Sequence, residues 1–313
     1  MLNHPIRSRI IVIVTSAWMS ACLTGTSSAQ DLPVAFRAFK SAADAPVFTS
    51  SPGDWDALIR ERGWIMKDGE KYVLWYTGYN QDLQPLSMKL GYATSPDGIT
   101  WTRHAQNPIF DDVWVEDMMI VKHNETLYMF AEGAKDQPQL LKSTDGIAWQ
   151  RIGTLDVRRT DGTKIAAGPC GTPTAFFEDG TWYLYYERRD QGIWLATSKD
   201  MSVWTNVSDE PLIVPGPDDY DNLMIAMNQV IKYEGRYYAV LHGTGSPTKP
   251  RDWCTYIAVS DNLRAWEKCS CGPLLPVHEN KSSGQLVHDG RQFRLYTMHA
   301  RIDLHVPSTA TLP

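Results

Sequence analysis

Long apolar runs are scarce in this 313-residue chain: beyond residue 30 no stretch approaches the roughly 20 apolar residues needed to span a bilayer. Positive charge is short as well. Lys and Arg total 30 against 36 Asp and Glu, a net charge of −6, and no basic stripe is present that could neutralise a phosphate backbone. Nucleic acid is therefore not an expected partner. Only five cysteines occur, and the Cys269-x-Cys271 pair with distant Cys170 and Cys254 lacks the two-residue spacing of structural zinc sites, so no metal ligand set is read. No segment sustains an apolar period of 3.6 residues, which leaves little room for helix. Phe, at 8, is outnumbered by 12 Trp and 14 Tyr, rings that suit strand-rich packing while offering a polar atom or a flat face.

Residues 1–29 read as a signal peptide. Arg7 and Arg9 precede the run Ile10-Ile11-Val12-Ile13-Val14, and Ser27-Ser28-Ala29 forms a small-residue cleavage site. A second reading is a lipoprotein signal ending before Cys22, because Met19-Ser20-Ala21-Cys22 resembles an imperfect lipobox. Either way residues 30–313 are expected outside the cytoplasm, periplasmic or secreted, as a single-domain monomer. Export permits disulfides among Cys170, Cys254, Cys269 and Cys271, whose pairing the sequence leaves open.

Internal repetition is the strongest signal. Ser95-Pro96-Asp97-Gly98-Ile99-Thr100-Trp101 recurs as Ser143-Thr144-Asp145-Gly146-Ile147-Ala148-Trp149, as Ser198-Lys199-Asp200-Met201-Ser202-Val203-Trp204 and, more loosely, as Ser260-Asp261-Asn262-Leu263-Arg264-Ala265-Trp266. Each copy follows an apolar strand, so the Ser/Asp turn ends one strand and its Trp opens the next. These turns read as structural. Upstream of each unit lies a hairpin with a tight polar turn, and registering the five hairpins places Glu61, Glu116, Gly171, Ala226 and Lys281 at equivalent positions about 55 residues apart. Five such units predict an all-β, five-bladed β-propeller with four-stranded antiparallel blades. Its fifth blade runs short of chain, so the N-terminal segment around Ala45-Pro46-Val47-Phe48 is expected to close the ring.

In such a ring the first strand of each blade lines the axis and the second returns to the same rim. One mouth therefore gathers Asp56, Arg60, Glu61 and Arg62; Trp114, Glu116 and Asp117; Glu132; Glu187 and Arg188; Asn228, Gln229 and His242; and Lys281, Ser282 and His299. Carboxylates facing one another across a funnel are the apparatus for breaking a glycosidic bond, one acid protonating the leaving oxygen and one base activating water or attacking.

Five blades with acidic residues heading their inner strands resemble the five-bladed propeller glycoside hydrolases of families 32, 43, 68, 117 and 130 over essentially the whole mature chain. The resemblance implies a first-blade acidic residue, a second-blade Asp and a Glu or Asp from a following blade, sharing the roles of base or nucleophile, pKa-tuning group and acid. Asp56 or Glu61 would be the first of these. Glu116-Asp117 matches a Glu-Asp-Pro phrase with Met118 in place of Pro, and blade three opens on Gly171-Thr172-Pro173 without an acid. The acid role then falls to Glu187, Glu132 or His299. The catalytic candidates are Glu61, Glu116, Asp117 and Glu187; the substrate-binding candidates are Asp56, Arg60, Arg62, Trp114, Arg188, Asn228, Gln229, Lys281, Ser282, His242 and His299. An oligo- or polysaccharide is the expected substrate. No cofactor is expected, although a calcium in the central channel, present in some relatives, stays open. Two other functions remain: a non-catalytic carbohydrate-binding propeller, and a phosphorylase or transferase on the same funnel with Arg60, Arg188 or Lys281 holding phosphate.

Overall fold

The computed structural model describes residues 32–166 and 169–308, so the segment read as a leader, with Cys22, lies outside the described residues. Five sheets, antiparallel except for one short pair, follow one another around an axis. Blade one holds Trp64–Asp68, Lys71–Tyr79, Lys89–Ser95 and Thr102–Arg103; blade two holds Glu116–His123, Thr126–Gly133, Gln137–Ser143 and Gln150–Thr154. Blade three holds Gly171–Glu178, Thr181–Glu187, Ile193–Ser198 and Trp204–Asn206, and blade four Met224–Tyr233, Arg236–Thr244, Cys254–Ser260 and Glu267–Lys268. In blade five, Gln285–His288, Phe293–Met298 and Ile302–Pro307 are followed outward by Phe39–Ser41, which pairs antiparallel with Ile302–Pro307. Blades one and three depart from the expected four strands. Leu58–Ile59 adds to the second strand of blade one, and Val157–Arg158 runs parallel to Trp204–Asn206. Among the described residues helix is confined to two 3-10 turns, Val34–Phe36 and Val277–Glu279.

Local chemistry explains these elements. In blades two, three and four the two-residue hairpin loops Asn124-Glu125, Asp179-Gly180 and Glu234-Gly235 have positive φ at both positions, the turn whose twist matches that of the flanking strands. In the repeated phrase, Asp97 Oδ1 accepts the backbone N–H groups of Ile99 and Thr100, both at 2.8 Å, while Ser95 Oγ accepts that of Gly98 at 2.8 Å. Asp145, Asp200 and Asn262 cap their turns in the same way. These bonds satisfy backbone donors that the strand ladder has released.

The turns also lock neighbouring blades together. Trp75 of blade one donates its indole N–H to Gly146 O in blade two (2.7 Å), Tyr185 of blade three donates to Leu263 O in blade four (2.7 Å), and Tyr296 of blade five donates to Gly98 O in blade one (3.1 Å). The turn tryptophans wedge into the same seams: Trp149 lies against Trp75, Trp204 against Phe130 and Trp266 against Tyr185, with ring centroids 5.8–6.3 Å apart. Cys269 and Cys271 form a disulfide, whereas Cys170 and Cys254 are free and buried.

Because Trp204 is completely buried in its seam, Trp204→Ala should cost about 3–5 kcal/mol in urea-induced unfolding, as expected for deleting a large core ring.

Candidate active site

The entry to the inner strand decides which side chains reach the funnel. Arg62, Asp117, Thr172 and Ser283 all have φ between 46° and 54°, and the strand pairing slips between Glu116 and Met119 and between Gly171 and Thr174. Such bulges re-aim side chains, and here they interrupt the in–out alternation of a regular strand at the head of four blades.

The funnel is a cavity of about 300 Å³ lined by Arg60, Glu61, Asp117, Glu132, Asp136, Pro169, Thr172, Glu187, Arg189, Asp190, His242 and Trp253. Its floor is Arg62. This fully enclosed guanidinium donates to Asp117 O (2.6 Å) in blade two, to Pro173 O (3.0 Å) and Thr174 Oγ1 (2.6 Å) in blade three, and to Asn228 O (3.3 Å) in blade four. Its backbone N–H reaches Met298 O in blade five. Arg62 thus touches all five blades. Burial lowers its pKa to about 10, opposed by the charges of Asp117 and Glu132, which leaves it protonated at neutral pH. A calcium at this position would displace or face a fixed cation, so the residues on the axis do not fit one.

Above the floor the carboxyl groups separate into two kinds. Glu61, its side chain 24% exposed, pairs with the charge of Arg60 (3.5 Å) and accepts a hydrogen bond from His299 Nδ1 (3.1 Å). Burial would raise it, but the His299 hydrogen bond and the Arg60 charge outweigh that and hold it at about 2. The same bond raises His299. Glu187, Glu132 and Asp117 go the other way. Burial, then the charge of Asp190, pushes Glu187 to about 7, even though Glu187 Oε2 accepts the Asp190 backbone N–H. Burial lifts Glu132 to about 8 against the bond it accepts from the Thr172 N–H, and Asp117 is raised by burial and by Glu132 and Glu61. Gly171 makes this crowding possible: a β-carbon there would fall 1.9 Å from Glu187 Oε1 and 2.8 Å from Glu132 Oε1.

Several sequence expectations need correction on placement. Glu116 does not face the cavity, because its oxygens are taken by Arg60 Nε (2.8 Å) and Trp114 Nε1 (2.6 Å); it orients Arg60, and Trp114 orients it. Asp56 is buried outside the funnel, bound to Tyr76 Oη (2.9 Å) and Arg103 Nε (3.0 Å). Arg62 is the axial tie rather than a substrate contact. Gln229 joins blades four and five by bonding both the N–H and the carbonyl of Leu286, each at 2.9 Å. Arg188 donates to Ala166 O, and its neighbour Arg189 lines the cavity instead. Lys281 pairs with Asp303 at 2.8 Å in a separate rim hollow. Asn228 and Ser282 act indirectly: Asn228 Oδ1 lies 2.8 Å from His242 Nδ1, and Ser282 Oγ 3.5 Å from His299 Nδ1. Burial lowers His242 to about 4, so it is a neutral lining group.

Asp136, Arg189, Asp190 and Trp253 were not foreseen. All sit on loops after second strands, whose register the repeat does not specify. Trp253 packs edge-on against His242, centroids 5.4 Å apart, and is the aromatic wall of the cavity.

No family model matches the sequence, and no curated protein matches it. Solved structures do. A glycosyl hydrolase from Bacteroides ovatus superposes with a TM-score of 0.73 at 17% identity, covering 90% of this chain and 99% of that one. The β-1,2-mannobiose phosphorylase of Listeria innocua gives 0.65 at 15% identity over 85% and 95% of the two chains. An α-L-arabinofuranosidase from Podospora anserina gives 0.62 at 11%, covering 83% and 94%. The shared fold is the five-bladed β-propeller. Such similarity gives this propeller its architecture, while its chemistry has to be argued from the funnel.

Removing the axial guanidinium in Arg62→Met leaves three buried carbonyls short of a donor, at about 1–3 kcal/mol each. Unfolding free energy should drop by at least about 3 kcal/mol on that basis, whereas EDTA should leave the wild-type melting temperature unchanged.

Proposed function

We propose that the chain is an exported glycoside hydrolase that removes terminal sugars from an oligo- or polysaccharide. The observation that carries this reading is the split between Glu61 and Glu187, two carboxyl groups lining one cavity whose surroundings push their proton affinities in opposite directions. Glu61, ionised between Arg60 and His299, is the base that activates water or attacks the anomeric carbon. Glu187 keeps its proton near neutral pH; with Oε2 engaged as an acceptor, Oε1 is left to give that proton to the leaving oxygen. Asp117, buried and raised, tunes the pair from the floor, the division of roles that the resemblance implies. A volume of about 300 Å³ suits one sugar unit better than a continuous chain. The leader sequence supports export.

Water is favoured over phosphate as acceptor. Arg60 is bound to Glu116 and Glu61 and Lys281 to Asp303, so two of the three proposed phosphate ligands are held in ion pairs, and the third, Arg188, donates to a backbone carbonyl. A second anion would also enter a cavity lined by six carboxyl groups.

Reducing-sugar release from an oligosaccharide array tests the reading. Glu187→Gln should lower kcat by about 100-fold or more while sugar binding persists; turnover untouched by the substitution would refute it. In the wild type kcat/KM should fall with rising pH above about 7, as Glu187 loses its proton, and that limb should vanish in Glu187→Gln. His299→Ala frees Glu61 from its main hydrogen bond and should move the acidic limb upward. Gly171→Ala, with its new methyl overlapping Glu187 Oε1, should abolish turnover with the far-ultraviolet circular dichroism unchanged.

A further inference from the structure

Blade four contributes a side chain to the funnel for which hydrolysis by Glu61 and Glu187 has no use. Its first strand pairs Met227 with Leu241 and Gln229 with Val240, so Asn228 between them is the extra residue of a bulge. Two bonds hold that residue. Its backbone carbonyl accepts from the axial Arg62 (3.3 Å), and its side-chain Oδ1 lies 2.8 Å from Nδ1 of His242 on the second strand. Asn228 is 2% exposed and His242 8%, and Trp253 packs edge-on against the imidazole. The ring is therefore fixed in one orientation. An amide oxygen only accepts, so Nδ1 carries the ring proton and Nε2 presents a lone pair. Unlike the sealed Nδ2 of Asn228, Nε2 keeps contact with the cavity that His242 lines, and among the described residues it has no partner. Burial, aided by the charges of Arg62 and His299, keeps the ring neutral against the pull of Glu61.

We propose that His242 is the specificity contact of the funnel: Nε2 accepts a hydrogen bond from one ring hydroxyl of the sugar whose glycosidic bond is broken, and Asn228 is its positioning residue. The inference rests on the glycosidase reading of the same cavity. This acceptor differs from the carboxyl groups around it. Glu61, Glu132 and Glu187 already accept from His299, Thr172 and Asp190. A neutral nitrogen offers one directional bond and takes no part in the proton transfer. A sugar that places a hydroxyl there satisfies it, whereas an analogue without that hydroxyl leaves it unpaired inside a closed site. Protonation would turn the lone pair into a donor. A neutral amide at position 228 therefore suits the role, since a carboxylate in its place would favour the charged ring.

Initial rates on para-nitrophenyl glycosides of glucose, mannose, galactose, xylose and arabinose identify the sugar that the wild type cleaves fastest. Its monodeoxy and monofluoro derivatives then probe each hydroxyl in turn. His242→Phe keeps a ring against Trp253 but removes the acceptor, and should lower kcat/KM on the parent glycoside about ten-fold or more. That penalty should vanish for the derivative lacking one particular hydroxyl, and for the fluorinated derivative at the same position, because fluorine cannot donate. His242→Gln restores an acceptor oxygen and should recover part of the loss, and Asn228→Asp should reproduce it at neutral pH. These two variants carry the test if His242→Phe does not fold. A penalty equal across every derivative overturns the inference, as does a penalty that persists on the fluorinated derivative where the deoxy one abolishes it. Calorimetric binding of the corresponding free sugars to the same proteins separates two failures. Turnover with a uniform penalty sinks this inference alone, whereas binding that depends on one hydroxyl and on His242, without any turnover, sinks the hydrolase and keeps the contact. A wild type that neither binds nor cleaves any of these sugars overturns both.

Discussion

A buried guanidinium at the axis organises this propeller. Five blades arranged in a ring leave a channel in which the heads of the inner strands present carbonyl oxygens to a space too narrow for bulk water. Arg62 fills that channel and satisfies oxygens from blades two, three and four while its own backbone bonds to blade five. The desolvation of this charge is offset by four charge-assisted hydrogen bonds from its terminal nitrogens, while its buried Nε has no partner. Two consequences follow for the site. The heads of three inner strands are tied to one side chain, and a positive charge is fixed beside Asp117 and Glu132.

That arrangement lets one small cavity hold carboxyl groups of opposite character. Glu61 stands beside Arg60 and His299 and stays ionised, whereas Glu187 sits over Gly171 among other acids and keeps its proton up to about pH 7. The difference arises from neighbours rather than from the residues, which are both glutamates. Glu116 and Trp114 form an outer layer that aims Arg60 at Glu61. Likewise Asn228 fixes the ring of His242, against which Trp253 packs.

The ring of blades was legible in the sequence because its signals are local. A capped Ser/Asp turn, a two-residue hairpin and a seam tryptophan repeat at constant spacing, and each specifies its geometry within a few residues. Glu61, Asp117, Glu187 and His242, grouped at one mouth by registering the hairpins, line one cavity. What could not be read depends on bulges and loop lengths. A left-handed residue at the head of the inner strand changes which of two adjacent side chains faces the axis, so Arg62 and Glu116 look like rim residues until the backbone is seen. Gln229 likewise reads as a sugar contact, yet its amide fits the edge of the neighbouring blade. Asp136, Asp190 and Trp253 sit on loops of unequal length where the 55-residue register no longer applies.

The account depends above all on the separation of Glu61 and Glu187. Carbon-13 NMR titration of their side-chain carboxyls, assigned through Glu61→Gln and Glu187→Gln, measures it without a substrate. Glu187 should titrate near 7 and Glu61 near 2. Two ordinary carboxylates titrating together would contradict the acid and base roles from which the proposed hydrolysis is built.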